Sequence, residues 1–446
     1  MSKLMISSSG LRGIVGEHLT TSIVEPFVRS YLKWLPAGSV VIGGDTRTSH
    51  DALTQLVSSV CQLCGRDVII IGKVPTPTVQ QMVRKYKAAG GFAITASHNP
   101  IVWNGIKIID DTGSFLGADA FSEFDQLYRN GDMMDYATWD NQGQRTVDDK
   151  ALHSHVDVIA TTLPIQKIAP LKVLIDVNHG AGHRADLELF KALGIHVDFL
   201  FDGADGEFSH SPEPVTENLT DLCDQMAQGD YDIGFAQDPD ADRLVIVDEN
   251  GRFIGEDYSL AFSMDYYLSM INEPHPTIVV NLSTSKIIEF IAEKYNATLY
   301  QTRIGEPNVT AKMKAVSATI GGEGNGGIIL PSVGWGRDSL TGIVLALLHL
   351  SESKKTVSQI IESYPQYIMV REKQPLESTE LIAAKMARVE AFYDGQQINR
   401  EDGVKISFDS SWVHIRPSNT EPIIRIFAEA PSKAEALALV DSVKNI

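Results

Sequence analysis

Three short runs, Val40–Ile42, Val173–Ile175 and Ile278–Val280, are apolar at consecutive rather than alternate positions. A strand covered on both faces has this pattern. Each run leads into a polar turn and then a helix-like stretch, at Asp51–Cys64, His183–Leu193 and Lys286–Tyr295. A second strand pattern follows at Val68–Ile71, His196–Phe201 and Thr298–Gln301. Another helical stretch, a third strand and a loop rich in Gly, Asp or Ser complete each repeat. The loops are Thr95-Ala-Ser-His-Asn-Pro100, Asp238-Pro-Asp-Ala-Asp-Arg243 and Gly322-Glu-Gly-Asn-Gly-Gly327. Strand–helix–strand alternation implies right-handed crossovers, mainly parallel sheets and helices on both faces. Ligands bind such sheets at loops beyond the strand ends.

The pattern changes after about Tyr367. Val404–Phe408, Trp412–Ile415 and Ile423–Ala428 read as strands joined by short turns, and Lys433–Val443 as a closing helix. The expected fold is therefore α/β, with three similar mixed-sheet domains and a smaller C-terminal α+β domain around a central cleft. The expected divisions are residues 1–150, 151–252, 253–366 and 367–446.

Composition narrows the partners. The 446 residues carry a net charge of −19, which disfavours a general nucleic-acid or acidic-membrane binder and leaves small anions open. The longest apolar run, Ile343–Leu348, is too short to span a membrane and is expected to be a buried helix. The polar stretch Met1–Gly13 lacks the apolar core of a signal peptide, and three cysteines are too few for a disulfide framework. A cytoplasmic enzyme is the expectation. Cys61 and Cys64 are expected one turn apart on a buried helix face, with a structural part rather than a redox one.

The loops carry candidate chemistry. Small Ala96 and the turn-forming Asn99-Pro100 suit a tight loop presenting Ser97, whose hydroxyl needs activation to act as a nucleophile. Asp238, Asp240 and Asp242 alternate, so an extended loop would point three carboxylates one way. Two carboxylates about 4 Å apart repel by roughly 4 kcal/mol at an effective dielectric near 20, so the group calls for a cation or a proton. Hard oxygen ligands favour Mg²⁺. Glu249 falls at the twelfth position of a calcium-loop pattern begun at Asp238. Arg243 occupies that loop's obligatory glycine position, and the flanks read as strands, so calcium is disfavoured. Near the end, Arg416-Pro-Ser-Asn-Thr-Glu-Pro422 with Arg425 offers cations, hydroxyls and turn N–H groups suited to a phosphate dianion.

In this order, and over essentially the whole length, these segments resemble the α-D-phosphohexomutase superfamily of phosphoglucomutases, phosphomannomutases and phosphoglucosamine mutases. The resemblance implies that Ser97 is a phosphoserine, and that Ser97, Asp238, Asp240 and Asp242 hold one Mg²⁺ per active site. It places Arg12, His98, Lys107 and Arg243 around the transferred phosphoryl group, with Lys107 a general acid or base. Arg303, Glu323 and Asn325 would meet the sugar; Arg416, Ser418, Asn419, Thr420 and Arg425 would cage its distal phosphate. The implied reaction interconverts hexose 1- and 6-phosphates through a hexose 1,6-bisphosphate that also activates the enzyme. The loop Gly322–Gly327 and the stretch Trp103-Asn-Gly-Ile-Lys107 are most similar to the archaeal-type phosphoglucosamine mutase branch, implying glucosamine 6-phosphate as substrate, with glucose and mannose phosphates the alternatives. A sugar-phosphate phosphatase and a non-enzymatic sugar-phosphate sensor are the competing readings. The chain departs from the commoner pattern at four places. Serines replace a Gly-Thr opening before Arg12, Asn325 stands for serine, Gly327 for a histidine and Asn419 for glycine.

Overall fold

The computed structural model describes residues 4–375, 379–417 and 423–446. The first sheet orders its strands Met5–Ser7, Gly10–Ile14, Trp103–Ile109, Gly90–Ile94, Val40–Gly44, Val68–Lys73 and Arg145–Val147. The second runs Leu244–Val247, Ile233–Gln237, Val173–Asp176, Val197–Leu200, and the third Thr298–Thr302, Thr277–Asn281, Ile320–Glu323, Gly327–Ile329. One arrangement underlies all three. The first strand of the unit pairs in parallel with the second and the third, and the third pairs antiparallel with a fourth. Each loop singled out in the sequence lies at the connection between the third strand and the antiparallel fourth.

The consecutive apolar runs have a direct cause. Val40 and Ile42 pack into one core and Val41 into another on the opposite face of the sheet. Val173 and Ile175 likewise diverge from Leu174, as Ile278 and Val280 do from Val279. Helices on both faces leave no wet side to demand alternation. The second and third units share one large core, into which the helix Ser339–Ser353 sends Ile343, Val344, Leu345, Leu347 and Leu348. Cys61 and Cys64 are buried free thiols at the end of the helix His50–Leu63, as expected. Among the described residues, no helix is long and apolar enough to cross a membrane.

The C-terminal unit is an antiparallel sheet ordered Ile368–Pro375, Ile423–Ala430, Trp412–Pro417, Val404–Ser407, Gln397–Asn399, with the helices Thr379–Phe392 and Lys433–Asn445. It keeps its own core of Val413, Ile415, Ile424, Ile426 and Val440. It touches the third unit through polar contacts. His414 Nδ1 lies 2.9 Å from Ser283 Oγ, Lys405 Nζ donates to Leu282 O at 2.7 Å, and Glu429 Oε2 accepts from Lys286 N at 2.8 Å.

Candidate active site

Ser97 sits in the left-handed region at φ 50°, a conformation disfavoured for serine that the surrounding loop must hold in place. The holding group is Arg47, which is fully buried. Its Nη2 donates to Ser97 O and Asn99 O, each at 2.6 Å, and its Nη1 to Pro100 O and Trp103 O, each at 2.9 Å. Asp45 fixes Arg47 through Nε at 3.1 Å and accepts from Thr95 Oγ1 at 2.5 Å; Thr95 Oγ1 in turn accepts from Ser97 N at 2.9 Å. One guanidinium thus satisfies four loop carbonyls that would otherwise be poorly paired.

The acidic loop lies against this serine. Ser97 Oγ donates to Asp238 Oδ2 at 2.8 Å, across 141 positions of sequence. The carboxylates do not converge by extended alternation as expected. An extended chain separates alternate residues by about 6.6 Å, whereas one oxygen from each aspartate lies within 4.8 Å of the others. The convergence comes from a turn: Ala241 N donates to Asp238 O at 2.8 Å, and Ala241 adopts φ 50°. Asp238 Oδ1 then accepts from Asp242 N and Arg243 N, each at 3.1 Å.

Neighbouring units grip the turn. Asp240 meets the N-terminus of the helix Thr76–Tyr86, accepting at Oδ2 from Thr76 Oγ1 at 2.6 Å while its carbonyl accepts from Thr76 N at 2.9 Å. Ser339 Oγ donates to Ala241 O at 2.7 Å. Lys107 Nζ binds Asp240 Oδ2 at 2.6 Å and Asp242 Oδ2 at 3.1 Å, and Arg337 Nη2 binds Asp242 Oδ2 at 2.7 Å. Burial opposes the charge on Lys107, but Asp240 and Asp242 outweigh it and raise its pKa. Burial pushes Asp238 well above the usual carboxylate range, and Asp242 and Asp240 push the same way. Burial acts on Asp242 too, yet Arg337 and Lys107 prevail and hold it below that range. Asp240 Oδ1 and Asp242 Oδ1 are buried without a hydrogen-bond partner. With Asp238 Oδ2 and the serine oxygen nearby, this donor set of hard oxygens suits a metal ion.

The remaining expected residues fall into two places. Arg12 Nη1 lies 3.4 Å from Asn99 Oδ1, beside the serine loop. His98 Nδ1 is 3.3 Å from Ser97 Oγ and accepts from Arg243 Nη2 at 2.9 Å. Burial, with Arg243 and Arg12, lowers the His98 pKa to about 2, which favours the neutral imidazole. Arg243 Nε is 3.8 Å from Asp238 Oδ2, and its Nη1 is 3.6 Å from Glu213 Oε1. Glu323 is buried; its Oε1 accepts from Asn281 Nδ2 at 3.0 Å and Gly305 N at 2.9 Å, and its Oε2 pairs with Arg337 Nη1 at 3.1 Å. Asn325 Oδ1 accepts from Gly327 N at 3.3 Å.

Arg303 is exposed and its Nε donates to Glu401 O of the C-terminal unit. Arg416 Nη2 pairs with Asp402 Oδ2 at 2.9 Å. Ser418, Asn419 and Thr420 lie outside the described residues. Arg416 and Arg425 are direct cross-strand partners, and Lys373 extends the row on the far side of Arg425. Partners opposite one another share a sheet face, so three cations line up on the face that also presents His414 to Ser283. Like charges in such a row repel, which favours an anion over them.

Asp45, Arg47, Thr76, Glu306, Arg337 and Lys373 were missed from sequence. Asp45 and Arg47 carried a usable signal, since they follow a doubly buried strand at its C-terminal end, where such sheets bind ligands. Lys373 carried none, because its place depends on register with a strand fifty positions later.

Family models for the Phosphoglucomutase/phosphomannomutase alpha/beta/alpha domains I, II and III match residues 3–133, 153–251 and 256–367, and the model for the C-terminal domain matches residues 368–446. The chain belongs to the phosphoglucomutase/phosphomannomutase family. It is 35% identical over 445 residues to the "Phosphoglucomutase/phosphomannomutase" of Thermococcus kodakarensis, covering 97% of this chain and 96% of that protein. Against the "Probable phosphoglucosamine mutase" of Methanopyrus kandleri it is 34% identical over 444 residues, with 98% and 96% covered. A crystal structure of a phosphoglucomutase/phosphomannomutase family protein from Burkholderia thailandensis superposes with a TM-score of 0.84 at 24% identity, covering 99% of this chain and 97% of that one. The three-loop arrangement around Ser97 is thus set in the four-domain fold of this family.

Proposed function

We propose that this phosphohexomutase family member interconverts hexose 1- and 6-phosphates, with glucosamine 6-phosphate to glucosamine 1-phosphate as its reaction, and that Ser97 carries the phosphoryl group. The observation that carries this reading is Ser97 Oγ at 2.8 Å from Asp238, inside a carboxylate cluster with two unpartnered buried oxygens. Resemblance of the loop Gly322–Gly327 to phosphoglucosamine mutases, and the name of the Methanopyrus kandleri relative, support the amino sugar over glucose or mannose.

In this mechanism a sugar hydroxyl attacks phosphorus on phosphorylated Ser97, the Ser97 Oγ–P bond breaks and the serine oxygen leaves. The bisphosphorylated sugar turns over within the cleft, and its other phosphate returns to Ser97. Asp238, Asp240 and Asp242 would hold Mg²⁺, which supplies charge neutralisation at the transferring phosphoryl oxygens. Arg243 and Arg12 would bind the same oxygens, while Lys107, held charged by Asp240 and Asp242, would give a proton to the leaving serine oxygen and take up the one the sugar hydroxyl releases. Glu323 and Asn325 would meet the sugar hydroxyls in both orientations. Arg416 and Arg425, with Lys373 beside them and Ser418, Asn419 and Thr420 in the adjoining loop, would hold whichever phosphate is distal.

The divisions at 1–150, 151–252, 253–366 and 367–446 serve as working units, with the last a lid. Its separate core and polar seat suit repeated opening, and closure excludes the water that would hydrolyse the phosphoserine.

Side-by-side turnover of glucosamine 6-phosphate, glucose 1-phosphate and mannose 1-phosphate, each with its 1,6-bisphosphate as activator, tests the reading. Highest kcat/KM on the amino sugar is expected. Release of inorganic phosphate without isomer would instead identify a phosphatase, and inertness towards all three would sink the proposal.

A further inference from the structure

Gly327 opens the strand Gly327–Ile329, and a Cβ built there would meet Arg337 Cδ at 2.2 Å, Cγ at 2.9 Å and Cβ at 3.2 Å. Gly327 is not among the residues with positive φ, so the position demands room rather than backbone freedom. The room is taken by Arg337, 7% exposed, whose guanidinium binds three carboxylates with three different nitrogens. Nη2 reaches Asp242 Oδ2 at 2.7 Å, Nε reaches Glu306 Oε2 at 2.9 Å and Nη1 reaches Glu323 Oε2 at 3.1 Å. These acids come from the acidic loop, the first residue of the helix Glu306–Val316 and the last residue of the strand Ile320–Glu323. The next residue anchors the arginine's backbone: Asp338 N donates to Ile328 O at 2.9 Å, and Asp338 Oδ1 caps the helix Ser339–Ser353 through Leu340 N at 3.1 Å.

Two consequences follow for the carboxylates. Arg337 and Lys107 both occupy Oδ2 of Asp242, which leaves Oδ1 as its open ligand atom. Glu323 has protein partners on both oxygens, so its orientation is fixed before any sugar arrives. A lysine carries its three N–H donors on one nitrogen and could not span acids that arginine meets with three separate nitrogens.

We propose that Arg337 is a positioning residue that locks the acidic loop to the sugar-facing loop, so that metal affinity and sugar affinity are set together, and that Gly327 is glycine to let Arg337 through. The proposal rests on the phosphohexomutase reading above.

The test compares wild type with Arg337→Ala, Gly327→Ala, the double variant and Arg337→Lys. The readouts are Mn²⁺ binding to the protein by electron paramagnetic resonance, KM and kcat for the hexose phosphate, and Tm. Arg337→Ala is expected to weaken Mn²⁺ binding about tenfold or more and to raise KM alongside. Gly327→Ala alone should reproduce much of that loss, yet shift Mn²⁺ affinity by less than about twofold in the Arg337→Ala background. A lowered Tm with unchanged Mn²⁺ affinity in the folded protein overturns the proposal. So do equal effects of Gly327→Ala in both backgrounds. Should Arg337→Ala fail to fold, Arg337→Lys is read instead, and unchanged metal and sugar affinity there overturns the proposal equally. Wild type that binds Mn²⁺ but turns over no hexose phosphate defeats the functional reading and leaves the metal comparison standing.

Discussion

The acidic loop at 238–243 and the cationic row on the C-terminal sheet are opposites in construction. The loop is buried, and its three carboxylates are held from two other units: Asp238 by Ser97, Asp240 by Thr76 and Lys107, and Asp242 by Lys107 and Arg337. The row Lys373, Arg425, Arg416 is open to solvent in part or whole, and among the described residues the one carboxylate paired with it is Asp402, on Arg416. A group that must stabilise a reacting phosphoryl group gains from being fixed in advance in a low-dielectric site. A group that must take either phosphate of a turning intermediate gains from release between turns. Ser97 is placed by the first kind of construction, and the distal phosphate is expected to be bound by the second.

The largest break in the comparison comes at the fixed end. Ser97→Ala is expected to lower turnover by on the order of 10⁴-fold or more while leaving Tm near wild type, measured with hexose phosphate and activator. Lys107→Met separates the loop's metal-free balance from its loaded one. Removing one partner of a buried ion pair costs about 3–5 kcal/mol, so the variant should melt earlier in chelator. Saturating Mg²⁺, at about 100 times its Kd, should return about 2.7 kcal/mol of that, read as a recovered Tm. An unchanged Tm in chelator would show that Lys107 does not balance the aspartates.

At the open end, Arg416→Ala should raise KM about tenfold with kcat little changed, and Lys373→Ala should raise it only a few-fold. Added salt should raise the wild-type KM further, since exposed charges are screened and buried ones scarcely are. The smallest expected effect concerns the seat of the lid. Burial lowers His414 to about 4, below an ordinary histidine near 6.5. The unfolded chain therefore binds the extra proton between those values, so stability is fully present above about 6.5 and lost as pH falls towards 4. His414→Gln should flatten that part of the Tm-against-pH curve.

Much of this was legible in the chain. The doubly buried strands Val40–Ile42, Val173–Ile175 and Ile278–Val280 announce themselves because every residue meets a core, and the loops after the third strands stand out by a serine in a tight turn, by aspartates and by glycines, respectively. In the C-terminal unit, the strand Ile368–Pro375 and the helix Thr379–Phe392 escaped notice, because Arg371, Lys373 and Pro375 of the strand are exposed and interrupt any apolar signal.

Local sequence determined which segments are strands, which loops carry hydroxyl, carboxylate and guanidinium groups, and that the acids outnumber what they could balance alone. Tertiary structure decided which cation answers which acid. Arg47 under the serine loop, Thr76 on Asp240 and Arg337 across Gly327 are long-range pairings, and a residue's own neighbours in sequence hold no record of the partner that folding brings within 3 Å. The turn at Ala241 belongs in part to the same class: beside its own local hydrogen bonds, Thr76 closes on Asp240 and Ser339 on Ala241 from two other units.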